Sequence, residues 1–405
     1  MNQEIKTKIE QIKNGIIPAG YRKTKIGVFP DDWKVYRIDH CLERVKHPVD
    51  VQPGKLYTQI GIRSHGKGLF YKEPVTGESL GKKSVFWIEP DCFILNIVFA
   101  WERAIGKTTE NEVGMIGSHR FPMYRPVNGI VDIDYLCLYM LTNRGKYLLE
   151  TASPGGAGRN KTLGQDRFMK SKIILPPLEE QKRIVEIISL QDDIIALCNQ
   201  KIEQLQLMKK YYLQEMFPKR GCDYPEIRFP GFTNPWEQRK WSDTVDISTD
   251  MVDPKSGLYD DLPHVAPGNI ESFTGRLFDN VKLVKDENLI SGKFRFSAGD
   301  IIYGKINPQL GKYVFAAFSG LTSADAYVLN SKNGVDQKFL YAVLQTQDFF
   351  NYSVSVSKRS GMPKINRDEL NAYSFAAPST TEQAKIGEFL LSIDNLITLH
   401  QCKYA

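Results

Sequence analysis

The sequence lacks any long run of apolar residues. Its most apolar stretch, residues 93–101, is far shorter than the roughly 20 residues that a membrane-spanning helix needs, and it contains Asn96. The first fifteen residues are charged where a secretory signal peptide requires an apolar segment. The six cysteines are scattered without a C-x-x-C pair, a distribution typical of reduced thiols rather than of zinc or redox sites. We therefore expect an intracellular, cytoplasmic protein.

Motifs that support catalysis are also scarce. The glycine-containing segment at residues 61–68 lacks the G-K-[ST] ending of a phosphate-binding loop, and the histidines show no metal-ligand spacing. An amino-group methyltransferase needs an N-P-P or D-P-P tripeptide followed by an aromatic residue, whereas the segments at Asn234 and Asn307 read NPWE and NPQL. We therefore expect no catalytic residue, metal site or cofactor in this chain, and predict that it is not an enzyme by itself.

The bulk composition describes a folded protein of more than one domain. A length of 405 residues favours two or three domains, and 42% apolar residues are enough for a core in each. The 53 basic and 47 acidic residues give a net charge of +6. This mild excess is compatible with nucleic-acid binding, but it is also common in proteins that bind none.

A long helix with a heptad pattern is the clearest local feature. Residues 178–216 contain no glycine or proline and are bounded by prolines, and at about 1.5 Å per residue a helix of this length spans roughly 58 Å. Apolar residues recur at the a and d positions of a coiled coil, so the helix needs a partner. A second, shorter heptad segment near the end of the chain supplies one. The predicted seam residues are Ile188, Ile195, Cys198, Ile202, Leu205, Leu390, Ile393 and Ile397.

The chain contains an internal repeat. Four pairs of segments, among them FPDDW with FTNPW and PPLEEQKRIVEII with APSTTEQAKIGEFL, recur in the same order at offsets of 202 to 205 residues. Between the helices, short β-branched and aromatic runs alternate with Gly- and Pro-rich turns, while residues 134–150 and 336–352 have helical spacing. We predict an α+β fold of two tandemly repeated α/β domains separated by long helices that form an antiparallel coiled coil.

The predicted domains follow from this repeat. The segment KIEQI in the N-terminal helix matches KIEQL in the long helix, so the N-terminal helix is a candidate to complete the short second helix. The boundaries are residues 1–15 for the N-terminal helix, 16–176 for recognition domain 1, 177–217 for the central spacer helix, 218–379 for recognition domain 2 and 380–405 for the second helix.

Basic and amide side chains gather in turns at matching places of the two copies. Gly-flanked basic loops can approach phosphates, and Arg, Lys, Asn and Gln have the donor and acceptor geometry to read base edges. Solvated charged loops and structural turns are the alternative interpretations. The predicted DNA-binding residues are Arg63, Lys67, Arg103, Lys107, Arg159, Lys161 and Arg167 in the first copy and Lys305, Asn307, Gln309, Lys312, Lys358, Arg359 and Lys364 in the second.

These features together resemble the DNA specificity subunit of type I restriction-modification systems. The motifs that carry the resemblance are PPLEEQKRIVEII, GDIIYGKINPQLGKYVFAAF, SADAYVL, the FPDDW and FTNPW pair and the duplication itself. The resemblance implies that each domain reads one half of a split site in double-stranded DNA, while the helices set the gap. It also implies docking to two methyltransferase subunits, which use S-adenosylmethionine to modify adenine, and to restriction subunits, which use ATP and Mg.

The short second helix departs from this pattern. Either the N-terminal helix completes it, or the chain is a truncated or recombined silent allele that serves as a scaffold. A standalone bivalent DNA-binding protein is a further alternative, since it needs the same paired loops. The base sequence recognised depends on loop geometry that a single sequence does not define.

Overall fold

The computed structural model describes residues 3–24, 27–81, 83–155, 161–358 and 361–402, and it divides into two compact units. Unit 1 comprises residues 1–193 and unit 2 residues 194–405, so the boundary falls inside the long helix. The helices are α1 (Gln3–Lys13), α2 (Ile38–Cys41), α3 (Gly77–Leu80), α4 (Ile133–Leu141), α5 (Asn143–Ala152), α6 (Gln165–Lys170), α7 (Leu178–Glu215), α8 (Trp241–Thr244), α9 (Gln337–Val343), α10 (Gln347–Ser357), α11 (Arg367–Asn371) and α12 (Thr380–Cys402).

Unit 1 is built on a four-stranded antiparallel sheet. Its strands are β1 (Tyr21–Thr24), β2 (Gly27–Pro30), β3 (Lys34–Arg37), β4 (Leu42–Val45), β5 (Leu56–Tyr57), β6 (Ile60–Ile62), β7 (Leu69–Tyr71), β8 (Val75–Thr76), β9 (Val85–Trp87), β10 (Phe93–Leu95), β11 (Ile105–Lys107), β12 (Ile116–Ser118), β13 (Met123–Pro126) and β14 (Lys172–Leu175). The central sheet has the order β11-β10-β13-β4, and the remaining strands form the two-stranded pairs β14-β3, β12-β9, β5-β8, β6-β7 and β1-β2. The core of the unit lies between this sheet and α4, α5 and α6.

Unit 2 repeats this sheet and adds a second one. Its strands are β15 (Glu237–Lys240), β16 (Val245–Ile247), β17 (Met251–Val252), β18 (Pro263–Val265), β19 (Lys282–Leu283), β20 (Lys293–Phe296), β21 (Ile301–Gly304), β22 (Tyr313–Phe315), β23 (Gly320–Thr322), β24 (Ala326–Ser331) and β25 (Ser374–Ala377). The central sheet has the order β22-β21-β24-β16, and a five-stranded sheet has the order β17-β20-β23-β18-β19. Because β18 pairs with β23 in parallel, the second sheet is mixed.

The two central sheets confirm the duplication. Read from one edge to the other, β11-β10-β13-β4 and β22-β21-β24-β16 connect equivalent segments in the same order. The pair β14-β3 likewise matches β25-β15, and each of these pairs lies next to the helix that follows its domain. The sequence repeat therefore corresponds to two copies of one α+β scaffold.

Each predicted domain helix is in fact two helices. Residues 134–150 were expected to form one helix, but α4 ends at Leu141 and α5 begins at Asn143. The reason is Thr142, whose extended backbone and hydroxyl, which accepts a hydrogen bond from the Gly145 N–H at 3.2 Å, form an N-cap. Thr346 caps α10 in the same way in the second copy. The expectation of a single helix was wrong because apolar spacing continues across the cap.

The second half of α7 and α12 form an antiparallel helix pair within unit 2. Lys209 Nζ on α7 lies 2.5 Å from Asp394 Oδ1 on α12, and farther along α7 the ring of Tyr212 packs edge-to-face on Phe389, which comes earlier on α12. Because the residue numbers of these contacts increase along α7 while they decrease along α12, the two helices run antiparallel. The predicted antiparallel coiled coil is therefore present.

The predicted seam residues fall into two groups. In unit 2, Leu205, Leu390, Ile393 and Ile397 are buried in one apolar cluster, with Ile202 partly buried against it. Earlier on α7 the seam is more open: Ile188 and Cys198 are half-buried and Ile195 is 41% exposed.

The N-terminal helix α1 is similarly open. It buries none of its residues, and Ile5 and Ile9 are 49% and 39% exposed. Its role in completing the second helix therefore stays a prediction.

A buried glutamine joins each recognition domain to the helix that follows it. The Gln181 side chain donates to the carbonyl oxygens of Ile130 and Pro176, both at 2.9 Å, and accepts from the Asp132 N–H at 2.9 Å. Asp132 is the N-cap of α4, so this joint ties the first turn of α7 to the start of a domain helix.

Gln383 makes the equivalent joint in unit 2. It donates to the carbonyl oxygens of Gly334 and Pro378, at 3.2 and 2.8 Å, and accepts from the N–H of Asp336, the N-cap of α9, at 2.9 Å. Gln181 and Gln383 are 0% and 1% exposed. We call these two residues the glutamine joints.

Candidate nucleic-acid interface

Two loops of unit 1 are linked through their backbones into one tip, which we call the loop pair of unit 1 (residues 61–70 and 99–107). A 3-10 turn, Ala100–Glu102, ends at Arg103, whose φ is 57°. The N–H groups of His65 and Gly66 donate to the carbonyl oxygens of Glu102 and Arg103 at 2.8 and 2.9 Å. The Ser64 hydroxyl also donates to the Glu102 carboxylate at 2.8 Å. These hydrogen bonds hold the two loops together.

Unit 2 contains the same arrangement in residues 270–278 and 305–313, the loop pair of unit 2. Its 3-10 turn, Pro308–Leu310, lies between Asn307 (φ 51°) and Gly311 (φ 55°). The Phe273 N–H donates at 2.9 Å to the carbonyl of Gly311, the residue that follows the turn. In unit 1 the residue that follows the turn, Arg103, accepts from Gly66, while His65 donates to Glu102 inside the turn.

Four of the seven non-glycine residues with a left-handed backbone in the described part of the chain lie in these loop pairs, and the other three are Asp91, Asn128 and Asn333. His65 and Arg103 in unit 1, and Phe273 and Asn307 in unit 2, have φ between 51° and 63°. The left-handed region is costly for residues other than glycine, by about 1–2 kcal/mol each, and such conformations cluster at functional sites. The loop pairs are therefore the best candidates for a binding surface in both units.

The predicted DNA-binding residues of unit 1 differ in how strongly they are already engaged. Lys67 and Arg63 are exposed, although the Arg63 guanidinium donates to the Leu69 carbonyl at 2.6 Å. Arg103 is half-buried and donates to the Leu141 carbonyl at 2.9 Å. Its guanidinium therefore has fewer free donors to offer DNA.

Lys107 already has a strong partner. Its ammonium lies 2.8 Å from the Asp134 carboxylate on α4. Burial lowers the pKa of Lys107, but the hydrogen bond to Asp134 and its charge outweigh that effect, so the pKa lies above its ordinary value. The net charge that Lys107 offers to a phosphate is thus largely neutralised.

The basic segment after α5 is described in part. The Lys161 ammonium lies 5.3 Å from the centre of the Trp101 ring, which brings this segment next to the 3-10 turn of the loop pair. Arg167 is exposed on α6. Arg159 lies outside the described residues, as does Arg359 in the second copy.

In unit 2, most of the predicted residues lie on or beside the loop pair. The Lys305 ammonium is 5.4 Å from the Tyr327 ring, and the Gln309 amide donates to the Asn307 side-chain oxygen at 3.3 Å. The Lys312 ammonium donates to the Ile270 carbonyl and lies 5.6 Å from the Phe278 ring.

Two more basic residues of unit 2 are exposed. Lys364 makes a single β-bridge with Ile306, which places it beside the loop pair, and Lys358 is the C-cap of α10.

The sequence patterns did not predict a role for His65 and Phe273 in the two loop pairs, nor for the glutamine joints. His65 is followed by Gly66 and Gly68, a turn signal that could have drawn attention to it, and Gly275 follows Phe273 in the same way. Gln181 and Gln383 lie at matching positions of the repeated segments PPLEEQKRIVEII and APSTTEQAKIGEFL. A polar residue at the same place in both copies is a signal for a shared structural contact.

Two features typical of other protein classes are absent from the described residues. No helix there combines the length and apolar character needed to cross a bilayer. No group of three or more His, Cys, Asp or Glu side chains in the same residues is placed to hold a metal ion.

Comparison with known proteins gives the family. The family model for the type I restriction modification DNA specificity domain matches residues 71–207 and 234–405, one region in each copy. The chain belongs to this family. The match confirms the resemblance inferred from the motifs, and because specificity subunits are the non-catalytic members of type I systems, it also confirms that the chain is not an enzyme by itself.

Two curated relatives are specificity subunits. The type I restriction enzyme EcoDI specificity subunit of Escherichia coli is 33% identical over 173 residues, which cover 42% of this chain and 38% of that protein. The chain thus spans well under half the length of this relative. The MjaVIII specificity subunit of Methanocaldococcus jannaschii is 24% identical over 403 residues, covering 91% of this chain and 88% of that protein.

Solved structures of the family share the fold. The HsdS subunit from Thermoanaerobacter tengcongensis aligns with a TM-score of 0.50 and 17% identity, over 93% of each chain. The S subunit of a type I restriction-modification system from M. genitalium aligns with a TM-score of 0.55 and 12% identity, over 92% of this chain and 91% of that one. The predicted fold class is confirmed by these neighbours.

Proposed function

We propose that this chain is the specificity subunit of a type I restriction-modification complex and that it reads a bipartite site in double-stranded DNA. Each unit reads one half-site with its loop pair. The observation that carries the proposal is that both units contain a loop pair on equivalent sheets, with a backbone hydrogen bond joining the two loops but with different side chains. Two readers on one scaffold with different side chains are what two different half-sites require.

The partners in this proposal are two methyltransferase subunits and the restriction subunits. They supply S-adenosylmethionine, ATP and Mg, and the complex acts in the cytoplasm. Support comes from α7, whose outer face is unusually apolar: Ile187, Leu190 and Leu197 are 58%, 59% and 64% exposed. Contiguous apolar exposure on a folded protein marks an interaction surface. A standalone bivalent DNA-binding protein has no need of such a face.

The experiment is a map of methylated adenine in cells that express the chain together with its modification subunits. We expect methylation at a split sequence that is absent when the chain is omitted. The chain should also co-purify with the modification subunit.

A domain exchange tests whether each unit reads its own half-site. Replacing residues 218–379 with the equivalent segment of a relative is expected to change one half of the methylated site and to preserve the other. A map in which both halves change together, or neither does, contradicts the assignment of one half-site to each unit. Methylation that is the same with and without the chain contradicts the function itself.

A further inference from the structure

Phe273 has a backbone conformation that a bulky residue seldom adopts. Its φ of 63° lies in the left-handed region, which costs about 1–2 kcal/mol for a residue with a Cβ atom. Two hydrogen bonds hold the backbone there. The Phe273 N–H donates to the Gly311 carbonyl at 2.9 Å, and the Tyr313 hydroxyl donates to the Phe273 carbonyl at 3.0 Å. The conformation is therefore imposed by the surrounding fold.

The ring of Phe273 is held firmly but remains accessible. The ring lies on Gly311, where an added Cβ atom would come within 2.4 Å of it, and it packs edge-to-face with the Phe350 ring, the ring centres being 5.5 Å apart. The residue is nevertheless 52% exposed, and the neighbouring Leu310 is 43% exposed. An aromatic side chain that is rigid and exposed has already lost the conformational entropy that binding would cost.

The surroundings of the ring favour a polyanion as its partner. Phe273 lines a groove of about 860 Å³ in unit 2, together with Arg276 and Gln347 from the recognition domain and Gln206 and Lys210 from α7. The carboxylate that lines this groove, Asp394, is paired with Lys209. Arg276 is ion-paired with Glu271 and donates to the Gln401 amide oxygen, so the cationic contribution to this groove comes mainly from Lys210. A cation and amide groups around one apolar ring suit a nucleic acid, whose phosphates accept hydrogen bonds and whose bases have apolar faces.

Unit 1 has the same backbone feature with a different side chain. His65 has a φ of 62°, is exposed, and donates its N–H to Glu102 in the 3-10 turn of its loop pair, while Phe273 donates to Gly311 immediately after its turn. The strained position is thus common to both tips, while the ring that it carries differs. This is the relation expected of a residue that contributes to the specificity of each half-site.

We propose that Phe273 is a specificity-determining DNA contact of unit 2, packing its ring against the apolar surface of a base in that unit's half-site. The inference rests on the proposed function. Two kinds of apolar base surface fit this ring. One is the methyl group of a thymine in the major groove, and the other is the face of a base that has left the stack. The backbone strain serves to present the ring.

The test measures binding of the full-length chain, with its modification subunit, to a duplex carrying the methylated site identified above. Phe273→Ala is expected to weaken binding about tenfold, the scale for loss of one aromatic–base contact. The salt dependence of binding should stay unchanged, because no phosphate contact is lost. Ile290→Ala is the control, since Ile290 is an 84% exposed apolar residue on another loop of unit 2, and it should bind as the wild type does.

Phe273→Gly separates the ring from the backbone. Glycine adopts the left-handed conformation without cost, so this variant should melt at a higher temperature than Phe273→Ala while binding DNA equally weakly. Replacing each thymine of the half-site by deoxyuridine, and each adenine by fluorescent 2-aminopurine, distinguishes a methyl contact from an unstacked base.

Several outcomes would overturn the proposal. One is wild-type affinity in Phe273→Ala or in Phe273→Gly. Another is a decrease in the salt dependence of DNA binding in Phe273→Ala, as expected for a variant that loses a lysine. A third is a Phe273→Ala variant that no longer binds the modification subunit but keeps its DNA affinity, which would assign Phe273 to a protein contact. If the wild-type complex itself showed no sequence preference, the proposed function would fail first, and this inference with it.

Discussion

The ion pair between Lys209 and Asp394 offers a quantitative test of the helix pair in unit 2. Their side chains are only 9% and 12% exposed, and Asp394 Oδ2 is buried without a hydrogen-bond partner in the described part of the chain. Replacing Lys209 by methionine keeps an unbranched side chain that is shorter by only one atom, but it leaves the carboxylate buried and unpaired. We expect the free energy of unfolding to fall by about 3–5 kcal/mol at neutral pH, the range measured when one member of a buried ion pair is removed.

The double variant Lys209→Met/Asp394→Leu should be far less affected. Removing both charges also removes the cost of burying them, and such replacements are often neutral or stabilising. We therefore expect its stability to lie within about 1 kcal/mol of the wild type, so that the two substitutions are strongly non-additive. The measurement is urea denaturation of the full-length single and double variants.

The pH dependence provides a second readout. Burial raises the pKa of Asp394 above its ordinary value, and the charge and hydrogen bond of Lys209 only partly offset this. A carboxylate with a raised pKa holds its proton more firmly in the folded state than in the unfolded chain. Its contribution to stability therefore falls as the pH rises from the ordinary aspartate pKa through the raised one. Without Lys209 the pKa rises further, so the deficit of Lys209→Met should shrink as the pH is lowered.

Two results would refute this reasoning. A loss below about 1 kcal/mol in Lys209→Met would mean that solvent reaches the pair and screens it, as at an exposed ion pair. Additive effects in the double variant would mean that the two groups do not interact.

Two further predictions concern the joints and the loop pairs. Gln181→Leu and Gln383→Leu should each destabilise their own unit by at least about 3 kcal/mol in denaturation experiments, because each leaves three buried backbone groups without a partner; equal stability of wild type and variants would contradict the joint. Lys67→Ala should lower the slope of log affinity against log salt concentration by about one, whereas Lys107→Ala, which removes a lysine already held in an ion pair, should change it less. Titration of DNA binding against salt for both variants is the check, and identical slopes would count against the distinction.

Much of the fold could be predicted because the signals are long and repeated. The heptad pattern of α7 extends over many turns, and the repeat constrains both copies at once. The breaks at Thr142 and Thr346 were missed because an N-cap depends on one residue, while the apolar spacing on both sides of it continues. The solvent exposure of Ile195 could not be predicted either, since heptad spacing marks a face of a helix but not the length over which a partner covers it.

The candidate site was predicted less completely. Basic residues in turns were found, but the sequence does not show that Lys107 is neutralised by Asp134, because the two residues lie in separate elements and meet only in the folded sheet. The left-handed backbones of His65 and Phe273 are likewise a product of tertiary hydrogen bonds. No local preference of histidine or phenylalanine indicates them.

The glutamine joints bear on how such chains diversify. Each joint contacts only main-chain atoms of its recognition domain, and the residues that supply one of its carbonyl acceptors, Ile130 and Gly334, have nothing in common as side chains. Side-chain substitutions at these positions therefore leave the hydrogen bonds of the glutamine joint intact, as long as the backbone path is kept. If each unit reads one half-site as proposed, a foreign domain that keeps this backbone path can replace the original as one segment and bring its own half-site with it.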